Sequence, residues 1–274
     1  MTALLPVPTW FVGCGNMAGA MVDGWRSAGI DLSTAVVIRP SGAPVHGVRT
    51  VTRFADAGNP PSMVVLGVKP QKLGEVAPEL APWITSKAIV LSILAGVEVA
   101  TLRGRFANAR AIARAMPNLP VAVRRGVVAL YSDDADDGLR SQLSQLFQVL
   151  GFVSWTGSEA EFAAIGSVAG AGPAYVARFV DALAKAGVGR GLDESLARTV
   201  ALETVLGTGW LAAATQESMA DIARRVASPN GTTEAGLAVL DRDHVLDQLI
   251  GVTIDAAARR GAELAEEARS SSVA

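Results

Sequence analysis

The chain has 274 residues, half of them hydrophobic and only 18% charged, with 24 Lys and Arg against 26 Asp and Glu. That length and apolar content allow two domains around a substantial core, and the balanced charge without a basic cluster argues against a nucleic-acid partner. The one cysteine, Cys14, cannot close an internal disulfide, and with only His46 and His244 there is no Cys/His set at metal-ligand spacing, so a reducing compartment and no structural metal are expected.

The opening MTALLPVPTW lacks a basic region and a long apolar stretch, and no run approaches the roughly 18 apolar residues of a membrane span, so the expectation is a cytoplasmic protein with no membrane partner. Short apolar β-rich runs then alternate with helical segments, the pattern of a parallel sheet with crossover helices. Strands are predicted at Thr9–Gly13, Val36–Ile38, Met63–Val68 and Ala88–Ile93, in a fifth run leading to ARAMPN, and at Val127–Tyr131 and Phe152–Trp155. Helices are predicted at Asn16–Ala28, Gln71–Leu80 and Asp136–Leu150. After Trp155 the β character disappears and Ala, Leu, Glu and Arg recur at helical spacing. The fold class is therefore α/β, a nucleotide-binding type of sheet domain over residues 1–157 followed by an all-helical domain over 158–274.

In the helical half, Val176, Phe179, Val180 and Leu183 share one face. From Leu196 to Ala214 apolar residues run nearly all round the helix, with Arg198 and Glu203 as the only charges. So small a helical domain cannot cover that helix alone, which predicts a subunit interface. The closing EEARSSSVA is predicted to fray.

Gly13, Gly15 and Ala18 in FVGCGNMAGAM match G-x-G-x-x-G/A where a strand ends and a helix begins. Glycine permits the tight turn and close backbone approach, and the helix start offers free N–H groups to a pyrophosphate. A tight turn with no ligand gives the same short pattern; the strand–turn–helix context favours a ligand. At the end of the second strand, VVIRPSG puts Arg39 and Ser41 where an NAD site usually carries an acid. A guanidinium and a hydroxyl suit a 2′-phosphate, which points to NADPH over NADH; the other reading of Arg39 is an ordinary solvated loop residue.

The run GVKPQ places Val68, Lys69 and Pro70 at the carboxyl edge of the sheet, where ligands of such sheets sit. Lys69 reads equally as facing the cofactor or as a solvated loop lysine. LSILAGV and RAMPNLP end the next strands in the same fashion, so Ala95, Gly96, Met116, Pro117 and Asn118 are expected to line the same crevice.

The second informative stretch is VASPNGTTEAGLAVL, where a Pro and Asn-Gly turn precedes Thr232, Thr233 and Glu234 at the start of a helix containing Leu237 and Leu240. The two threonines read either as helix caps alone or, with the exposed N–H groups, as part of a cradle for a small carboxylate. SDDADDG reads as solvated acids ahead of a helix rather than a cation site, and no Ser/His/Asp triad is legible. Cys14 fits its loop by small size.

The set GCGNMA, VKPQ, AGV, MPN, AGAGPAY and SPNGTT, in this order and spacing over nearly the whole chain, resembles pyrroline-5-carboxylate reductase. The resemblance implies an enzyme that reduces the cyclic imine pyrroline-5-carboxylate to L-proline with NADPH or NADH, built from an amino-terminal Rossmann domain and a helical domain forming an interlocked homodimer, with larger rings of dimers common. It implies that Gly13, Gly15, Asn16, Met17 and Ala18 bind the pyrophosphate, that Lys69 and Pro70 border the cofactor, and that Ala95, Pro117 and Asn118 lie near the nicotinamide. Ser228, Gly231 and Thr232 would hold the substrate carboxylate, with Asn230 in the same loop and the Thr233 hydroxyl reaching the ring nitrogen as the catalytic group. Little ionisable chemistry is required, since hydride adds to a carbon already made electrophilic by its imine nitrogen.

The chain departs from the family pattern in several places. Ala169 and Ala171 stand where serines are usual, Asn230 where glycine is usual and Leu119 where threonine is usual, and an asparagine that reaches the adenine ribose is replaced near Phe54. Asparagine tolerates the left-handed backbone better than most residues, so the turn at Asn230 is expected to survive. Two other readings stay open on the residues. One is a reductase of another cyclic imino acid, or a β-hydroxyacid dehydrogenase, although FAAIGSVAGAGPAY lacks the lysine a dehydrogenase would need. The other is a non-catalytic NADPH-binding regulatory protein, which would need neither Asn118 nor Thr233.

Overall fold

The computed structural model describes residues 4–270, so the last four residues of the EEARSSSVA segment lie outside the described residues. The described residues pack as two compact units, one of residues 4–171 with 257–270 and one of residues 172–256. Residues 158–171 and the end of the last helix, read from the sequence as part of the helical half, thus pack with the sheet.

The first unit holds an eight-stranded sheet of β1 (Thr9–Val12), β2 (Ala35–Ile38), β3 (Arg49–Val51), β4 (Met63–Leu66), β5 (Ile89–Ser92), β6 (Ala111–Pro117), β7 (Gly126–Tyr131) and β8 (Gly151–Trp155). Its order is β3-β2-β1-β4-β5-β6-β7-β8, and β1 lies between β2 and β4 with Thr9 opposite both Ala35 and Met63. The first six strands follow the doubly wound nucleotide-binding order, which turns back at β1 and opens a crevice beyond the carboxyl ends of β1 and β4. The sheet is parallel, as expected from the sequence, at every joint but one: β7 runs antiparallel to β6. The short turn around Leu119–Val123 returns the chain directly, leaving no room for a crossover helix. The edge strand β3 and the helix α3 (Val99–Arg105) are further elements that the sequence reading did not separate.

Helices α1 (Asn16–Ser27), α2 (Leu73–Leu80), α4 (Asp137–Gln148) and α5 (Glu159–Ile165) complete this unit with α3. All four residues of β1 are buried, as a central strand covered on both faces requires. Alternation sends Phe11 into one layer with Trp25, Met21 and Phe147, and Trp10 into the other with Leu66, Leu80 and Leu102. The buried Trp25 indole donates to the Leu146 carbonyl at 2.8 Å, so this large side chain brings no unpaired donor into the core.

The acids of SDDADDG are only partly the solvated group expected. Asp136 caps α4 by accepting the Leu139 N–H at 2.7 Å. Asp134, by contrast, pairs with Arg103 and accepts the Ile112 N–H at 3.1 Å, which ties that loop to β6.

The second unit contains α6 (Gly172–Val188), α7 (Glu194–Thr215), α8 (Met219–Val226), α9 (Thr232–Leu240) and the first part of α10 (Val245–Ser270). Small residues Ala184, Ala197 and Ala201 are buried with Val180 packed on them. Of the face predicted on α6, Val180 points to this seam while Val176, Phe179 and Leu183 are exposed. Along α7, Leu202, Leu206 and Trp210 are likewise exposed, Trp210 by 58%, in keeping with an apolar surface that a second subunit would cover. Residues 266–270 of the tail expected to fray are helical, the end of α10. Arg269 pairs there with Glu98, and Ala268 packs against the sheet layer.

Candidate functional site

The glycine loop has the geometry that close approach of an anion needs. Gly13 has φ +77°, and a Cβ there would lie 2.8 Å from Val68 Cγ1 and 3.0 Å from the Gly67 backbone. Ala18 is buried against Gly67, so a small third residue lets α1 sit tightly on β4. Gly15 is the N-cap of α1 and differs from Gly13: no side chain caps the helix, and a Cβ at Gly15 would meet nothing within 4 Å. The start of α1 thus carries no side-chain cap and has open space at Gly15, which fits a pyrophosphate on its first-turn N–H groups. Asn16 and Met17 form the first turn beside it.

An open cleft of about 550 Å³ adjoins this loop, lined among others by Gly15, Asn16, Asp23, Arg39 and His46. Arg39 is fixed from both sides. Its backbone N–H donates to the Val51 carbonyl of β3 at 3.0 Å, and its Nε donates to Ser41 Oγ at 3.0 Å. The pair expected to read a 2′-phosphate is therefore brought together, and the strand missed in the sequence helps hold it. Cys14 is buried under the same loop; burial pushes its thiol up, with the Arg39 charge acting in the opposite direction.

Lys69 is exposed, and its side chain pairs with no group among the described residues, while Pro70 starts the helical turn that leads into α2. Phe54 stacks on Trp10 with ring centroids 6.3 Å apart, so at this position an aromatic faces the core. Ala95 is exposed beyond β5, and Gly96 has φ +74° with the α10 backbone pressed on it, an added Cβ falling 2.8 Å from Ala265 N.

Asn118 is buried and held at both ends of its amide: Nδ2 donates to the Ala169 carbonyl at 3.0 Å, and Oδ1 accepts the Val127 N–H at 2.9 Å. These two bonds orient the turn after Pro117. The contact to residue 169 runs through the backbone, so alanine in place of the usual serine leaves it intact. Residues Gly166–Gly170 form one π-helical turn between α5 and α6, and Met116 fills the space at Gly166, where a Cβ would fall 2.2 Å from the Met116 sulfur. Such single turns often mark functional positions.

In the second unit the loop before α9 is ordered by backbone. The Gly231 N–H donates to the Ser228 carbonyl at 2.9 Å, and Asn230 has φ +57°, the left-handed conformation its side chain tolerates. Glu234 reaches back to accept the Asn230 N–H at 2.6 Å. The N-cap is Gly231, with no side-chain cap, so the two threonines do not act as caps. The hydroxyls of Thr232 and Thr233 bond no group among the described residues. The loop thus offers uncommitted donors at a helix start, an arrangement suited to a small anion.

Comparison with known proteins gives a consistent result along the chain. The family model for pyrroline-5-carboxylate reductase dimerisation matches residues 159–264, and a model for NADP oxidoreductase, coenzyme F420-dependent, matches residues 10–96. A pyrroline-5-carboxylate reductase of Pseudomonas aeruginosa is 33% identical over 264 residues, covering 94% of this chain and 96% of that protein. One from Synechocystis is 37% identical over 223 residues, covering 81% and 82%. Among solved structures, a pyrroline-5-carboxylate reductase from Coxiella burnetii has a TM-score of 0.84 at 30% identity, covering 95% of this chain and 99% of that one. The Plasmodium falciparum pyrroline carboxylate reductase, solved with NADP bound, has the same TM-score of 0.84 at 22% identity, covering 94% and 98%, a likeness of fold.

Proposed function

The chain belongs to the pyrroline-5-carboxylate reductase family, and on that premise we infer that it reduces the cyclic imine L-1-pyrroline-5-carboxylate to L-proline, the last step of proline biosynthesis, with NAD(P)H. The observation that carries this to the residues is the start of α9, where Thr232 and Thr233 present hydroxyls free of any bond among the described residues behind a glycine N-cap.

When bound, NAD(P)H supplies the hydride. The chain's own part is binding and alignment. Gly13, Gly15, Asn16, Met17 and Ala18 hold the pyrophosphate on N–H groups of α1, and Arg39 with Ser41 takes the 2′-phosphate, which makes NADPH the preferred form. Val68, Lys69 and Pro70 border the cofactor, with Ala95, Gly96, Pro117 and Asn118 at the nicotinamide end. Ser228, Asn230, Gly231 and Thr232 hold the substrate carboxylate. Thr233 Oγ1 hydrogen-bonds the ring nitrogen and steadies the product amine, a smaller contribution than alignment itself.

The functional division is at residues 157 and 158, supported by the dimerisation match from residue 159, and the exposed apolar surface of α6 and α7 forms a homodimer. Rings of dimers and a cytoplasmic setting belong to the same proposal, the latter resting on the single Cys14. No helix among the described residues is long and apolar enough to cross a membrane.

The test is the rate of NADPH loss with pyrroline-5-carboxylate beside NADH and beside the six-membered imine. Fast loss with the five-membered ring and NADPH is the expected outcome. Faster reduction of the six-membered ring would reassign the substrate.

A further inference from the structure

A charged pair outside both loops lies inside the first unit. Arg114, in the middle of β6, is only 4% exposed and pairs with Glu159, the first residue of α5. Its guanidinium lies 4.3 Å from the centre of the Phe162 ring. The other carboxylate oxygen, Glu159 Oε1, accepts the N–H of Val99 at the start of α3 at 2.9 Å. Arg114 Nε is buried with no hydrogen-bond partner, and burial pushes the arginine pKa down while Glu159 opposes that shift. A buried ion pair of this kind is often no more stabilising than apolar residues of equal volume, so stability alone does not account for it.

Its neighbours give it a role. Val99 closes the loop that begins at Ala95 and Gly96, and Arg114 leads within its strand to Met116 and Pro117, with Asn118 next at the start of the turn. Glu159 opens α5, which runs into the π-helical turn that receives the Met116 sulfur at Gly166 and the Asn118 amide at Ala169. One carboxylate therefore bridges the two segments assigned to the nicotinamide end, an oxygen for each.

We propose that Glu159, paired with Arg114, is a positioning residue for hydride transfer, setting the spacing between the Ala95–Gly96 loop and the Met116–Asn118 turn on which the nicotinamide rests. This builds on the reading of the chain as an NAD(P)H-dependent imine reductase.

Glu159→Gln tests it sharply, because Arg114 and the Val99 N–H both donate while an amide offers a single acceptor oxygen. The buried guanidinium retains that oxygen, and the Val99 N–H is released. Glu159→Asp keeps the guanidinium neutralised but is too short to span both partners, so it guards against misfolding in the first variant. Arg110→Gln, which breaks the exposed pair with Asp136 in the same unit, is the control for loss of an ion pair.

Both Glu159 variants are expected to lower kcat roughly 10- to 100-fold, the scale of a misplacement of about 1 Å. The imino-acid KM and NADPH Kd stay near wild type. The isotope effect on kcat with nicotinamide-deuterated NADPH rises, and the fluorescence gain of NADPH on binding falls. Arg110→Gln moves none of these. A kcat that falls only with the folded fraction, at unchanged isotope effect and fluorescence gain, would overturn the proposal. Wild-type protein that leaves the imine unreduced would refute the functional reading instead, and the fluorescence comparison would still decide the positioning role.

Discussion

Gly13 and Gly15 stand two positions apart in one loop, and the structure predicts opposite consequences for the same change to alanine. At Gly15 the backbone angles, φ −87° and ψ −160°, are open to any residue, and an added methyl meets nothing within 4 Å. Losing a glycine N-cap costs about 0.5–1 kcal/mol, and the stiffer unfolded chain returns about 0.4–1 kcal/mol, so stability should stay near wild type. The methyl instead points into the open space where we propose that the pyrophosphate binds. Overpacking of about 1–3 kcal/mol then falls on binding alone, roughly 5- to 150-fold in NADPH Kd. At Gly13 the left-handed φ of +77° costs a side chain about 1–2 kcal/mol. Contacts of 2.8 Å to Val68 and 3.0 Å to the Gly67 backbone add overpacking on the free protein. Gly13→Ala should therefore lose about 2–5 kcal/mol of stability, which is roughly 5–15 °C in Tm. Thermal melting and fluorescence titration with NADPH separate the two. Wild-type NADPH affinity in Gly15→Ala would refute the assignment of the pyrophosphate to this loop.

Three further changes probe other parts of the account. Arg39→Gln should weaken NADPH roughly 10- to 100-fold, the worth of a charge-assisted hydrogen bond or two, and leave NADH unchanged in the same titration. Thr233→Ala should lower kcat more than it changes NADPH affinity, in steady-state rates beside a binding titration; an unchanged kcat removes the role of its hydroxyl. Asp136 is held below the ordinary carboxylate range by the Leu139 N–H it accepts, with Arg110 adding to the effect. A depressed folded-state pKa contributes stability above the unfolded pKa and loses it as pH falls through the folded one. Asp136→Ala should therefore lower Tm at pH 7, and melts repeated below about pH 4 should show the gap to wild type closing.

Much of this was legible in the residues because burial writes itself into composition. The runs TWFV, AVVI and MVVL are buried throughout, and glycine at position 13 marks where the backbone must come close. β3 escaped because it has three residues, one of them Arg49, and lies at an edge where no apolar run is needed. α3 is seven residues, including Gly104 and two arginines, too short for a helical period to emerge. The reversal at β7 left a readable trace, since the link from Pro117 to Gly126 is shorter than the dozen or so residues a parallel crossover takes. The Arg114–Glu159 pair left none: Arg114 opens the run RAMPNLP, but Glu159 lies 45 positions on, outside any motif, so nothing in the residues joins the two.

The most direct measurement of the central claim is the product. Purified protein incubated with NADPH and L-1-pyrroline-5-carboxylate should yield one L-proline for each NADPH oxidised, separated and quantified by chiral chromatography. NADPH consumed without proline, or a protein that binds NADPH yet leaves the imine untouched, would contradict it.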